Sequence, residues 1–297
     1  MGSLSLTAQN KDTKKADKHF DRFEFVDAAE DYTKLVEKGK GDAYVYGRLA
    51  ESYYNIFNTV EAERWYAKAL EASETDDPEV VYKYSQMLKA NGKYEESNQQ
   101  MERFASMRPS DDRAMAYKAN PNYLPKILEQ GKKFNLQNAD FNSEQSDFGG
   151  TLHDGKLWVT SGRNNSRKTY GWNDQPFLDV YSMTKNSDGS YQAAELANNK
   201  INTKYHEGLV TFTPDGKTMY FSRESYFEKD YEKDSLSKVR YSQLYLFKAT
   251  KLGDDWDTVE SLSINSENYS VKNPAVSPDG STLYFASNMP DGYGGFD

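Results

Sequence analysis

The 297-residue sequence contains no cysteine. That absence excludes disulfides, a thiolate zinc site, a cysteine nucleophile and a lipidated cysteine within these residues. Histidine is scarce as well: His19, His153 and His206 are the three present, and they share no motif. There is no G-x-S-x-G elbow, H-E-x-x-H pair or P-loop, and no two-carboxylate pattern recurs in a recognisable context. No catalytic, cofactor-binding or metal-binding residue is therefore assigned, and the chain is expected not to be an enzyme. Apolar runs approaching the 18 or so residues of a membrane span are missing. An excess of positive charge is missing too. Residues 1–130 hold 19 Lys+Arg against 23 Asp+Glu, the remainder 18 against 23, and the net charge is -9. Neither part has the basic footprint that phosphate binding requires, which argues against nucleic acid as a partner.

Tyrosine, in contrast, is abundant, with 23 residues. Such rings suit half-buried strands, helix-pair repeats and contact surfaces. Residues 1–9 read as the tail of a secretory signal or a tag, with Leu4, Leu6 and Ala8 ahead of polar sequence from Gln9, and favour export.

A helical pattern recurs with a 34-residue step. Tyr46, Leu49, Ala50, Tyr53, Ala62, Tyr66 and Ala69 place large rings and small residues where two antiparallel helices cross closely. A weaker copy precedes it (Ala16, His19, Ala28, Tyr32, Leu35), and a third follows (Val81, Tyr84, Ser85, Leu88, Ser97, Met101, Phe104), closed by Pro109. These spacings resemble the tetratricopeptide family. Three such repeats are expected over 10–109, then a capping helix and connector over 110–132, where Pro121 and Pro125 prevent one continuous helix.

After Gly131 the punctuation changes to short apolar runs around Asp-Gly turns. FGGTLHDGKLWVTSGR, EGLVTFTPDGKTMYFSRE and NPAVSPDGSTLYFASN align on Asp154-Gly155, Asp215-Gly216 and Asp279-Gly280. Third runs follow at Leu178–Met183 and Gln243–Ala249, and fourth ones near Tyr191–Glu195 and Asp257–Ser261. Four antiparallel strands per unit resemble the SPDG or TolB-like propeller repeat. Residues 133–297 are thus expected to form the first blades of a β-propeller, ending inside the third. The expected fold is α+β and multidomain, an α-helical tetratricopeptide solenoid followed by an incomplete all-β propeller with WD40-like or TolB-like blades.

Two surfaces are candidates for partner binding. Tyr44, Glu51, Tyr54, Asn55, Tyr82, Gln86 and Lys89 occupy first-helix positions that face the groove in tetratricopeptide arrays. The long second-to-third connections, Asn164–Phe177 and Ser225–Ser242, interleave rings with charges, and Arg167, Tyr170, Trp172, Tyr226, Phe227 and Tyr231 are side chains of the kind that anchor interfaces. The Asp-Gly turns are read as structural, and the acids of DGYGGFD, Asp291 and Asp297, are too few for a dedicated Ca²⁺ loop.

The order of these parts resembles the amino-terminal portion of the PorE-like, OmpA-family envelope proteins of Bacteroidetes. The resemblance implies a periplasmic, outer-membrane-associated scaffold of type IX secretion or gliding machinery, with a PorP/SprF-like β-barrel as partner. In that family peptidoglycan is held by a C-terminal domain that does not occur in these residues. Two alternatives stand beside it: the accessory propeller half of an exported peptidase or other hydrolase, and a recognition module for a peptide or glycan.

Overall fold

A computed structural model describes residues 11–121, 123–235, 239–292 and 295–297. The expected signal remnant or tag lies outside the described residues. The chain divides into two units. The first takes residues up to Leu136 together with Gly171–Asp174, the second Gln137–Tyr170 and Gln175–Asp297.

The first unit is helical: α1 (Lys14–Asp21), α2 (Phe25–Glu37), α3 (Ala43–Asn55), α4 (Thr59–Ala72), α5 (Pro78–Ala90), α6 (Tyr94–Met107), α7 (Asp112–Ala119) and α8 (Tyr123–Glu129). Polar residues set the starts. Asp42, Asn58, Asp77 and Asp111 each accept a backbone N–H of their helix's first turn, and Pro78 follows Asp77, where its missing N–H costs nothing. Gly39 and Gly92, with φ of +71° and +79°, let the chain turn after α2 and α5. Alanines at the crossings, Ala28, Ala50 and Ala62, are fully buried and bring helix backbones close around Tyr32, Leu49 and Tyr66. A second cluster of Val81, Met101, Phe104, Ala105 and Ala114 closes the array. The unit is tetratricopeptide-like, as the 34-residue step implied.

One polar contact repeats with it. Tyr32 Oη donates to Asp17 at 2.6 Å and Tyr66 Oη donates to Glu51 at 2.8 Å, each across 15 residues. In the third repeat the same pair of positions holds Gln86 and Met101, with Nε2 3.7 Å from the sulfur. Each second helix thus reaches back to the first through one buried side chain.

The second unit is strand-rich. Its first sheet contains β1 (Asp147–His153) and β2 (Lys156–Ser161); after a small ribbon, β3 (Thr169–Tyr170) with β4 (Gln175–Pro176), it continues as β5 (Asp179–Thr184) and β6 (Glu195–Leu196), in the order β1-β2-β5-β6. The second sheet repeats this plan. It has β7 (Glu207–Phe212) and β8 (Thr218–Glu224), a ribbon of β9 (Glu232–Lys233) with β10 (Arg240–Tyr241), then β11 (Leu244–Leu252) and β12 (Asp255–Ser261), in the order β7-β8-β11-β12. A third sheet pairs β13 (Val271–Val276) with β14 (Leu283–Ser287), and Ser287 exchanges two backbone hydrogen bonds with Asp297, both 3.0 Å. All these pairings are antiparallel.

Three details recur in the sheets. Each first strand is bulged at the same register, between Phe148 and Thr151, Gly208 and Val210, and Lys272 and Ala275. Gly149 supplies φ +74° at the first bulge, and Pro274, which cannot donate to a ladder, sits in the third. The turns of the second and third sheets match: Gly216 N donates to Thr213 O and Gly280 N to Ser277 O, both at 2.9 Å. Each sheet is also preceded by an apolar residue, Asn, and Ser or Thr, at 141–143, 201–203 and 264–266. Asn202 brackets Val180 of the preceding sheet's third strand, accepting its N–H at 2.7 Å and donating to its C=O at 2.9 Å. Asn265 does the same to Leu246, at 2.8 Å for both bonds. The apolar core of the unit lies between the sheets, around Trp158, Phe212, Phe221, Phe247 and Trp256.

Candidate partner-binding surfaces

The groove candidates are all half-buried, and the polar atoms of Tyr44, Glu51, Asn55 and Gln86 are engaged within the helical unit. Tyr44 Oη donates to Asp17 at 2.7 Å, and burial together with that carboxylate raises its pKa above the phenol range. Glu51 accepts from Tyr66 and pairs with Lys83, whose ammonium lies 4.9 Å from the centre of the Tyr54 ring. Asn55 turns back to Glu51 O at 2.7 Å, and Gln86 donates to Ser85 Oγ at 3.0 Å. Arg113, held by Glu79 and Asp111, covers the Tyr82 ring at 4.3 Å, and Lys89 lies 5.5 Å from that of Tyr123. Tyr44, Tyr54 and Tyr82 each have a cation against the ring, Arg48 at 5.4 Å in the first case. The groove's acids and cations neutralise one another.

Trp172 belongs to the helical unit. Its indole N–H donates to Asn55 O at 2.9 Å, and its ring meets Phe25 edge-on at 4.8 Å and stacks on Phe23 at 6.0 Å. Arg167 also has an internal task, a bidentate pair with the fully buried Asp179 at 3.0 and 2.7 Å. The other loop rings are brought together in the strand unit. Tyr170 meets Phe177 at 5.7 Å, Phe177 meets Tyr205 at 5.9 Å, Tyr205 meets Tyr226 at 4.8 Å, and Tyr226 stacks on Tyr231 at 4.7 Å. Arg240 caps the row 4.9 Å from the Tyr231 ring. One continuous ridge therefore runs across both long connections, on the side of the sheets away from the Asp-Gly turns. Phe227 stands beside it, 44% exposed, over the Arg223 guanidinium. Tyr205 and Arg240 escaped the sequence reading. Tyr205 lies in the short approach to β7, outside either long loop.

Beneath the ridge lies a set of buried ionisable groups. Glu207 accepts the Thr203 N–H and O–H at 2.9 and 2.6 Å and sits 3.5 Å from Arg223 Nε; burial pushes it up to about 8 against those donors. Burial likewise lowers Arg223. Burial lifts Glu224 to about 7 and holds His206 down at about 4. Elsewhere, His153, the last residue of β1, stacks on Phe212 at 4.1 Å. His19, Glu24 and Asp27 offer ligand atoms within 4.8 Å of one another, but Arg22 already pairs with Glu24, and Asp27 is exposed. Part of the DGYGGFD stretch, residues 293–294, lies outside the described residues.

No protein-family model matches the chain, and no curated protein matches it. Among solved structures, the first tetratricopeptide domain of human RPAP3 is 18% identical, covering 40% of this chain and 94% of that one with a TM-score of 0.34. The second domain of the same protein, solved with an HSP70 peptide, is 19% identical, covering 35% and 87% with a TM-score of 0.32. The C-terminal part of a tetratricopeptide protein from Cytophaga hutchinsonii is 19% identical, covering 40% and 45% with a TM-score of 0.32.

Proposed function

We propose that the chain is a non-catalytic scaffold that holds protein partners, with the ring ridge of the strand unit as its main contact surface and the helical groove as a second. The observation that carries this is the continuity of the ridge. Rings from two separate connections, which no local fold requirement brings together, share one row with Arg240 at its end. Tyr and Arg are the side chains that dominate interface energetics. In this reading the sheets are the first blades of a TolB-like propeller. The repeated strand order, the bulge at one register and the adjacency of β1 to β7 and β7 to β13 support it.

The setting we propose follows from the resemblance to PorE-like, OmpA-family proteins: the periplasm, at the outer membrane, within type IX secretion or gliding machinery, with a PorP/SprF-like β-barrel as partner. The test is capture of envelope proteins on the purified chain, followed by affinity measurements with the barrel protein. Tyr226→Ala and Tyr231→Ala should each weaken binding by about 2 kcal/mol, roughly thirtyfold. Lys217→Ala and Ser281→Ala, on the hairpin side, should leave it unchanged. Loss of binding in the hairpin variants, with Tyr226→Ala retaining it and melting normally, would show that the face is assigned wrongly. A screen against peptide, ester and glycoside substrates tests the absence of catalysis; turnover abolished by a single substitution would refute it.

A further inference from the structure

His206 and Glu224 occupy the roots of the two long connections. His206 Nδ1 accepts the Leu178 N–H at 3.0 Å, which fixes the end of the first, and the rings of Tyr170 and Phe177 cover the imidazole at 4.7 and 4.6 Å. Glu224 ends β8, and Ser225 after it opens the short 3₁₀ turn Ser225–Glu228 of the second. Glu224 N donates to His206 O at 3.2 Å, and its Oε1 lies 3.8 Å from His206 Nε2. Because Nδ1 accepts, the neutral imidazole carries its proton on Nε2, facing the carboxyl. That nitrogen is buried with no hydrogen-bond partner, and both side chains are 17% exposed.

The same positions in the third sheet show what the anchor alone requires. Ser270 Oγ accepts the Leu244 N–H at 3.0 Å, as His206 does for Leu178, and Asn288 stands where Glu224 does, accepting the Ser270 N–H at 2.8 Å. A serine and an asparagine suffice there. In the second sheet the pair is titratable, in surroundings made of rings. Among charged neighbours, Arg223 in the same strand engages Glu207 and Glu228 instead; β11 opposes Glu224 with Leu244, and the Tyr170 phenol is raised by burial and, secondarily, by the Glu224 charge. Among the described residues an ionised carboxylate here has no cation to meet, which is unfavourable in a buried site.

We propose that Glu224 is a proton-controlled latch between the two ridge-bearing connections. Protonated, its carboxyl rests against His206 and the connections hold together; ionised, it withdraws toward water and draws the Ser225–Glu228 turn away from the first connection. The latch acts on the surface assigned above to partners, but its test needs no partner, so the two readings can fail separately. Burial places the transition near neutrality, since Glu224 is lifted to about 7 while His206 stays neutral down to about 4.

The experiment is amide hydrogen exchange of the full chain at about pH 6 and about pH 8.5, corrected for base catalysis with an unstructured peptide. Protection of 175–178 and 225–235 should fall about tenfold on raising the pH, relative to the Thr213–Thr218 hairpin. Glu224→Gln should remove that fall, and so should the pair His206→Ser with Glu224→Asn, which copies the third sheet. Unchanged protection in the wild-type chain overturns the latch, a result that requires no variant to fold. A fall that persists in Glu224→Gln overturns it equally.

Discussion

Replacing Asn202 by alanine tests the joint between successive sheets. Its carboxamide satisfies both backbone groups of Val180 and also donates to Ala197 O at 3.0 Å, from a site only 4% exposed. Alanine leaves the Val180 N–H without a partner where water does not reach, while the Val180 C=O keeps the Ala197 N–H at 3.0 Å. An orphaned buried group costs about 1–3 kcal/mol, so a loss of about 2–3 kcal/mol is expected from the Val180 N–H together with the lost bond to Ala197 O. Asn265 makes the same bracket from a half-buried position, where water can substitute, and its removal should cost about 1–2 kcal/mol. Asn142, exposed and bonded to Asn138, should cost about 0.5 kcal/mol or less. In a unit of this size 1 kcal/mol moves the melting midpoint by about 2–4 °C. The strand-unit transition should therefore fall by roughly 8 °C, about 4 °C and about 1 °C in the three variants, measured by calorimetry on the full chain. The reasoning is refuted if Asn202→Ala melts together with Asn142→Ala.

Three further outcomes are expected. Glu224 is lifted to about 7 by burial, so it binds a proton more tightly in the folded chain; the stability it lends is full below its unfolded pKa of about 4.5 and is lost as pH rises through 7. The stability difference between wild type and Glu224→Gln should shrink by up to about 3 kcal/mol between about pH 4.5 and pH 7, as read from urea unfolding across that range; a flat difference would show the carboxyl to be solvated. Tyr66→Phe removes the hydrogen bond to Glu51 and should lower the helical transition by about 1 kcal/mol in thermal unfolding, whereas Tyr53→Phe, with no such staple, should not. Gly149→Ala drives a methyl into Leu209 Cδ2 at a φ of +74° and should cost about 2 kcal/mol or more; denaturation midpoints equal to wild type would mean the bulge is soft.

The helices and hairpins were legible because each rests on local chemistry. The 34-residue step shows in large and small residues that pack within one helix pair, and the turns show in Asp-Gly dipeptides whose backbone demands are met within four residues. The ribbons inside the long connections were not legible, since Thr169–Tyr170 and Glu232–Lys233 are too short to show a period. Asn202 and Asn265 look like ordinary loop residues until their partners, 22 and 19 residues back, are in place. No local pattern marks Asp179, Glu207 and Arg223 as buried charges, because their partners lie in other strands and connections. Among the candidate site residues, the rings of Tyr170, Tyr226 and Tyr231 are linked in one row through Phe177 and Tyr205. Trp172 does not join that row: its ring packs on Phe23 and Phe25, and its bond to Asn55 O crosses 117 residues of sequence that no local pattern reports.

The asparagine joints also set a schedule for synthesis. Val180 emerges from the ribosome before the residue that closes its backbone groups, and must wait for Asn202; Leu246 waits in the same way for Asn265. At about 5–20 residues per second that lag is about 1–4 seconds for each sheet. During it the fourth strand already pairs the third from Tyr181 and from Phe247 onward, but the N–H of the residue just before stays open, so each of these two sheets has a brief window of local mispairing that a single amide side chain ends.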